Sequence, residues 1–228
     1  MKIVITGANR GIGLELARQY LSRGDSVHAG VRAPSEAGEL SSLAEPSGGR
    51  LQLTACDVAD EASVRAFAAA VAGPVDVLIN NAGVRSHPDS LEQLDLDGAA
   101  RTLQVNALGA LRVTGALLPL LRRARGAKIV NISSELGSIS GNSSGSSYGY
   151  RMSKAALNMA SRSLAIDLKE EGIVAVALNP GWVKTDMGGS DAPLMVTESA
   201  AGIIRTIDGL TLQDSGGFFN FRGERLAW

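Results

Sequence analysis

Cysteine occurs once, at Cys56, in 228 residues. That scarcity excludes an internal disulfide framework and any cysteine-based metal cluster, and no metal site is expected. Charge of one sign is missing too: 22 Lys and Arg against 23 Asp and Glu leave a net −1. So neutral a chain offers no electrostatic case for nucleic acid or an anionic membrane as partner. No apolar run approaches the ~20 residues of a membrane span. A strand starting at Lys2 leaves no room for a signal peptide, so a cytoplasmic location is the expectation. What remains is an ordinary globular balance, 45% hydrophobic and 20% charged. The length suits one substantial domain, residues 1–228.

Short apolar runs alternate with longer helical patterns. Strands are predicted at Lys2–Thr6, Ser26–Val31, Leu51–Ala55, Val75–Asn80, Lys128–Ser133, Ile173–Asn179 and Gly217–Phe221. Between them, helices are predicted at Ile12–Arg23, Ser35–Glu45, Asp60–Ala72, Asp97–Leu121, Ser147–Glu171 and Glu198–Gly209. Asp60 is a plausible N-cap, Gly172 stops its helix, and Pro119 should disturb the longest one. Near-continuous apolar strands alternating with helices imply a parallel sheet covered on both faces. Right-handed crossovers then favour a doubly wound α/β Rossmann fold of about seven strands in the order 3-2-1-4-5-6-7. Ser140–Ser147 is rich in Gly and Ser, which reads as a flexible surface loop or as a loop at the rim of a site.

Thr6-Gly7-Ala8-Asn9-Arg10-Gly11-Ile12-Gly13 lies between a strand and a helix. Glycines there let the backbone turn tightly and approach a pyrophosphate, whose charge faces the helix N-terminus. Chains that bind NAD usually end the second strand with an acid for the ribose hydroxyls. Here it ends Ala29-Gly30-Val31-Arg32, with an arginine where a 2′-phosphate would lie. Arg10 adds a second positive charge, and an arginine fork suits phosphate. The missing acid and the two arginines favour NADP(H) over NAD(H).

Tyr150 and Lys154 are four apart, so on a helix they share a face. Tyrosine ionises near pH ~10 and is a poor proton donor at neutral pH. An ammonium one turn away is expected to favour the phenolate and lower that pKa. Tyr148 is a decoy, because the residue four further on is Met152.

These segments resemble the short-chain dehydrogenase/reductase family over essentially the whole chain. Thr6–Gly13 is similar to its glycine motif, Asn80-Asn81-Ala82-Gly83 to its N-N-A-G motif, and Tyr150–Lys154 to its Y-x-x-x-K motif. Pro180-Gly181 with Thr185 is similar to its P-G-x-x-x-T segment. Tyr150–Met159, Pro180–Gly189 and Ser215 to Trp228 resemble the sniffer and C-factor branch. That branch includes NADPH-dependent carbonyl reductases and a protein of intercellular developmental signalling.

The resemblance implies site residues. Asp57 and Val58 would meet the adenine; Asn81, Ala82 and Gly83 would line the cofactor cleft; Pro180, Trp182 and Thr185 would border the nicotinamide. Tyr150 would give the proton in carbonyl reduction, Lys154 would tune it and hold the ribose, and Ser134 would donate to the substrate oxygen. Asn106 would anchor a water leading from Lys154 to solvent. Ser134 rather than Ser133 is chosen because the family serine stands three before a glycine, here Gly137. The 16-residue gap from Ser134 to Tyr150 exceeds the family's usual one, and a bulge at Gly141–Ser147 is expected to absorb the excess. Arg85, His87, Glu135, Leu136, Trp182 and Met187 could border the substrate, with a substrate-binding lid at about 186–197. The expected function is NADPH-dependent reduction of aldehydes, ketones or quinones. Its alternative is a signalling protein that binds dinucleotide without a metabolic substrate. An epimerase or dehydratase, which also uses Tyr-x-x-x-Lys, would need a further substrate domain. The two long helices suggest a homodimer or homotetramer through a four-helix interface.

Overall fold

The computed structural model describes residues 1–85 and 90–228. Seven strands form one sheet in the order β3-β2-β1-β4-β5-β6-β7, with every neighbouring pair parallel. They are β1 (Lys2–Thr6), β2 (Ser26–Val31), β3 (Leu51–Ala55), β4 (Val77–Asn80), β5 (Lys128–Ile132), β6 (Val174–Asn179) and β7 (Phe218–Asn220). This is the predicted doubly wound architecture. Alternation along β1 explains its unbroken apolar run. Ile3 and Ile5 enter one core layer with Leu16, Tyr20, Ile203 and Ile207. Val4, between them, enters the opposite layer with Phe67, Val113 and Leu117. A strand buried on both faces is therefore apolar at most positions, and a polar residue placed there needs a buried partner.

The first layer is covered by α1 (Gly11–Ser22) and α7 (Val196–Gly209), the second by α3 (Glu61–Ala70), α5 (Gly109–Leu121) and α6 (Tyr148–Asp167). Asp60 caps α3 as expected, accepting from the N–H groups of Ala62 and Ser63. The predicted helix Ser35–Glu45 reduces to a 3-10 turn at Pro34–Glu36 and a single turn, α2 (Gly38–Ser41). Only Leu40 of α2 is buried, so little packing supports more. Helix α6 ends at Asp167, and a separate 3-10 turn, Lys169–Glu171, leads to Gly172 at φ 69°.

The longest predicted helix is interrupted at another place than Pro119. It runs as α4 (Leu96–Leu103), a π-helical turn at Gln104–Leu108, then α5. Pro119 lies in the last turn of α5, where a missing N–H removes a single hydrogen bond. The expectation that no segment approaches a membrane span also needs correcting. By length and composition Leu96–Leu121 would pass as one, but its Val113, Leu117 and Leu121 pack against the sheet.

Strand order reverses between β1 and β4, and the crevice outside the carboxyl ends of such strands is where α/β sheets bind ligands. The segments that leave β1 to β6 there, with the π-helical turn and the start of α6, carry the predicted site residues.

Candidate active site

The glycine loop is held from the next strand. Thr6 Oγ1 accepts from the N–H groups of Asn81, 3.2 Å, and Ala82, 3.1 Å. Asn81 Nδ2 donates to the carbonyls of Thr6 and Gly7 at 3.1 and 2.9 Å. Gly7, at φ 65°, leaves only 2.8 Å between a built Cβ and Ala82 Cα. At Gly13 a Cβ would overlap the Gly7 carbonyl and stand 2.5 Å from Asn81 Nδ2. Glycine is therefore forced at both ends of the loop, and the cradle beside Asn9, Arg10, Gly11 and Ile12 keeps a bare backbone at the start of α1. That cradle fits a dinucleotide pyrophosphate. Asn80, in contrast, points into the core, with Nδ2 donating to Thr114 Oγ1 and Asn131 Oδ1.

Arg32 follows β2 directly and is exposed. Arg10 is also exposed, but its Nη1 contacts Asp186 Oδ2 at 2.9 Å. No local pattern points to this pair, because 176 residues separate its partners. Thr185 sits beside it, its methyl 3.4 Å from a Cβ built on Gly11. Asp57 Oδ1 accepts from the Ala59 N–H, closing a turn. Val58 is buried against Gly109, so its side chain faces the core rather than the crevice. Pro180 is buried and accepts from Ser199 Oγ. Trp182 is 58% exposed and donates from Nε1 to the Gly188 carbonyl at 2.8 Å. The segment from 183 to 194 is tied at its base by a bridge between Val183 and Leu194.

Ser134, Tyr150 and Lys154 come together at the ends of β5 and α6. The long gap does not carry Ser134 away. Gly137 lies so close to α6 that a Cβ would be 2.8 Å from the Lys154 backbone carbon, and its carbonyl accepts from Asn158 Nδ2. Extra length is taken up further on, where Ser146 and Ser147 adopt φ 53° and 51°. Ser133 is spoken for, donating to Asn158 Oδ1 at 2.6 Å. Tyr148 stands exposed at the start of α6.

The electrostatics differ from the simple expectation for a Tyr–Lys pair. Tyr150 is 8% exposed, and burial raises its pKa; the Ser134 hydroxyl and the Arg85 charge act in the opposite direction. Lys154 Nζ stands 5.7 Å from the ring centroid and donates instead to the Ile132 carbonyl at 2.8 Å. Burial pulls the Lys154 pKa down to about 8. A lysine so placed is easily neutralised and cannot be counted on as a fixed charge.

Asn106 sits within the π-helical turn and is buried. Its Oδ1 accepts from the Val84 N–H at 2.8 Å, and its Nδ2 donates to the Val84 carbonyl and Ser153 Oγ. Both donors are used, so one Oδ1 lone pair remains for the water that the resemblance assigns to it. A Cβ built on Gly83 would lie 3.4 Å from that oxygen and 3.7 Å from Lys154 Nζ. Arg85 is exposed, with its guanidinium carbon 5.5 Å from the Tyr150 ring centroid. Glu135, Trp182 and Met187 are exposed as well, Leu136 is half-buried, and His87 lies outside the described residues. Thr6 and Ser153 were missed by the sequence reading. Thr6 had a signal, since it ends β1 immediately before the first glycine.

Sheet order, glycine cradle and the Ser134–Tyr150–Lys154 cluster define the class as a dinucleotide-fold oxidoreductase. The chain belongs to the short chain dehydrogenase family, whose description matches residues 1–193. It is 52% identical over 166 residues to C-signal of Myxococcus xanthus, which covers 72% of this chain and 100% of that protein. Carbonyl reductase Sniffer of D. melanogaster superposes with a TM-score of 0.96 at 37% identity, covering 100% of this chain and 99% of that one. NADPH-bound carbonyl reductase from chicken fatty liver superposes at 0.94 with 36% identity, covering 100% and 98%. These likenesses bear out the resemblance to the sniffer and C-factor branch.

Proposed function

We propose that the protein reduces aldehydes, ketones or quinones to alcohols with NADPH. The observation that carries this reading is the convergence of Ser134, Tyr150 and Lys154 beside the glycine cradle. The NADPH-bound chicken neighbour supports the choice of nucleotide, as do Arg10 and Arg32 with no acid at the end of β2. Held by the glycine cradle, a nicotinamide dinucleotide would supply the hydride for the carbonyl carbon. Ser134 donates a hydrogen bond to the carbonyl oxygen, where negative charge builds. Tyr150 delivers the proton to that oxygen. Lys154, with a pKa near working pH, restores the phenol's proton, and Asn106 fixes the backbone of Val84 beside the crevice. Gly7, Asn9, Gly11, Ile12, Gly13, Asn81, Ala82 and Gly83 line the cofactor path; Asp57, Pro180, Trp182 and Thr185 border it. The segment at about 186–197 closes over the substrate.

NADPH oxidation across a panel of carbonyl compounds tests the reading. Tyr150→Phe should lower kcat/KM by about 10²–10⁴, the usual worth of a positioned general acid. Arg32→Ala should raise KM for NADPH more than for NADH. Equal rates in wild type and Tyr150→Phe would refute the mechanism.

The similarity to C-signal favours a second reading, a signalling role in which dinucleotide is a structural or sensing ligand. Signalling that survives Ser134→Ala but is lost on an Arg10 substitution would support it.

A further inference from the structure

We propose that Arg85 is a specificity-determining residue: its guanidinium receives a carboxylate on the carbonyl substrate, so that carboxylate-bearing aldehydes and ketones are the preferred class. This deepens the carbonyl-reductase reading and rests on it. Arg85 leaves the C-terminal end of β4 two residues after Gly83, at the mouth of the crevice. Its backbone origin is fixed, because Asn106 clamps the N–H and the carbonyl of Val84 at 2.8 and 2.9 Å. The guanidinium carbon lies 5.5 Å from the centroid of the Tyr150 ring, and Lys154 Nζ lies 5.7 Å from the same centroid. A group entering to meet the phenol thus enters the field of the Arg85 cation.

The other arginines near the site are engaged. Arg151 donates from Nε to the carbonyls of Gly145 and Ser146 and from Nη2 to Ser144 Oγ, and Arg10 pairs with Asp186. Among the described residues no carboxylate lies within 4 Å of the Arg85 guanidinium. Glu135, next to Ser134, is exposed beyond the end of β5, the parallel neighbour of β4. An anionic substituent is therefore favoured on the Arg85 side of the carbonyl. A planar fork over an aromatic ring keeps its N–H edge free, the edge that grips a carboxylate with two parallel hydrogen bonds.

Two measurements, turnover at saturating NADPH and binding at saturating NADP⁺, separate this proposal from the reading beneath it. The first compares kcat/KM for 4-carboxybenzaldehyde and its methyl ester. Wild type should prefer the carboxylate by about tenfold or more, a factor that one charge-assisted pair readily supplies. Arg85→Gln should bring the ratio close to one, chiefly through KM, and Arg85→Lys should restore part of it. The second is calorimetric binding of benzoate against benzamide, which needs no turnover. Benzoate should bind wild type more tightly, and Arg85→Gln should erase the difference. If neither aldehyde is reduced but benzoate binding depends on Arg85, the anion site stands and the reductase reading falls. If benzoate binding and the substrate ratio are indifferent to Arg85→Gln, the proposal is overturned.

Discussion

A lysine that is 5% exposed, with no carboxylate in contact among the described residues, weakens the fold whenever it is charged. Lys154 carries this cost at its lowered pKa of about 8. Below pH 8 the folded chain bears the full penalty. Between pH 8 and the unfolded value near ~10.4 the unfolded chain holds the proton more tightly, so stability rises with pH. Cys56, pushed up to about 12 by burial, works the other way above its unfolded value near pH ~8.5. That contribution cancels when two variants are compared. Lys154→Met should therefore melt above wild type at pH 7, by roughly 5 °C for a chain of this size. The gap should narrow steadily towards pH 10 in thermal scans, while reductase activity is lost. A gap that does not change with pH would mean that Lys154 carries no buried-charge penalty. The placement of Tyr150 and Lys154 on one face of α6 was legible because their four-residue spacing is a property of one helix. The charge of Arg85 over Tyr150 was not, because it depends on where Asn106 fixes Val84, 22 residues away in sequence.

Among the elements, the π-helical turn at Gln104–Leu108 explains how one side chain reaches two places. A wider turn displaces Asn106 from the regular helical path, and its amide spans Val84 on the β4 exit and Ser153 on α6. Such turns recur at functional sites, and hydrophobic periodicity does not reveal them. The sequence therefore read one helix and assigned the break to Pro119, a local signal. Asn106→Ala leaves the N–H and carbonyl of half-buried Val84 without partners. The cost should be about 1–2 kcal/mol, a fall in Tm of roughly 3–6 °C, with faster amide exchange at Val84. Unchanged exchange there would show that the clamp contributes nothing. Strands were read more accurately than helices because burial on both faces forces continuous apolar runs. The short α2 buries one residue, so composition could not place its ends.

For the whole molecule, the outer surface made by α5 and α6 matters most. Leu108, at the end of the π-helical turn, and Leu111 on α5 are exposed, with Met152, Met159 and Ile166 on α6. Met152, Met159 and Ile166 are seven apart and share a face. Apolar groups gathered in this way mark interaction surfaces, which supports the proposed homodimer or homotetramer. Light scattering coupled to gel filtration should give a mass at least twice that of the chain, and Met159→Glu should shift it towards one chain. A wild-type mass of one chain would remove the assembly. Strand order was predictable at this scale, since handedness and short connections leave few alternatives. The surfaces that meet other molecules are set by no such rule.

Three glycines do no chemistry and still bound what this chain can become. A methyl at Gly13 meets Asn81, at Gly109 it meets Val58, and at Gly137 it meets the backbone of Lys154, each at 2.8 Å or less. A survey of tolerated substitutions would find these positions as intolerant as Tyr150. The information they hold concerns distance alone: how near two segments must stand before a reactive group elsewhere is in reach.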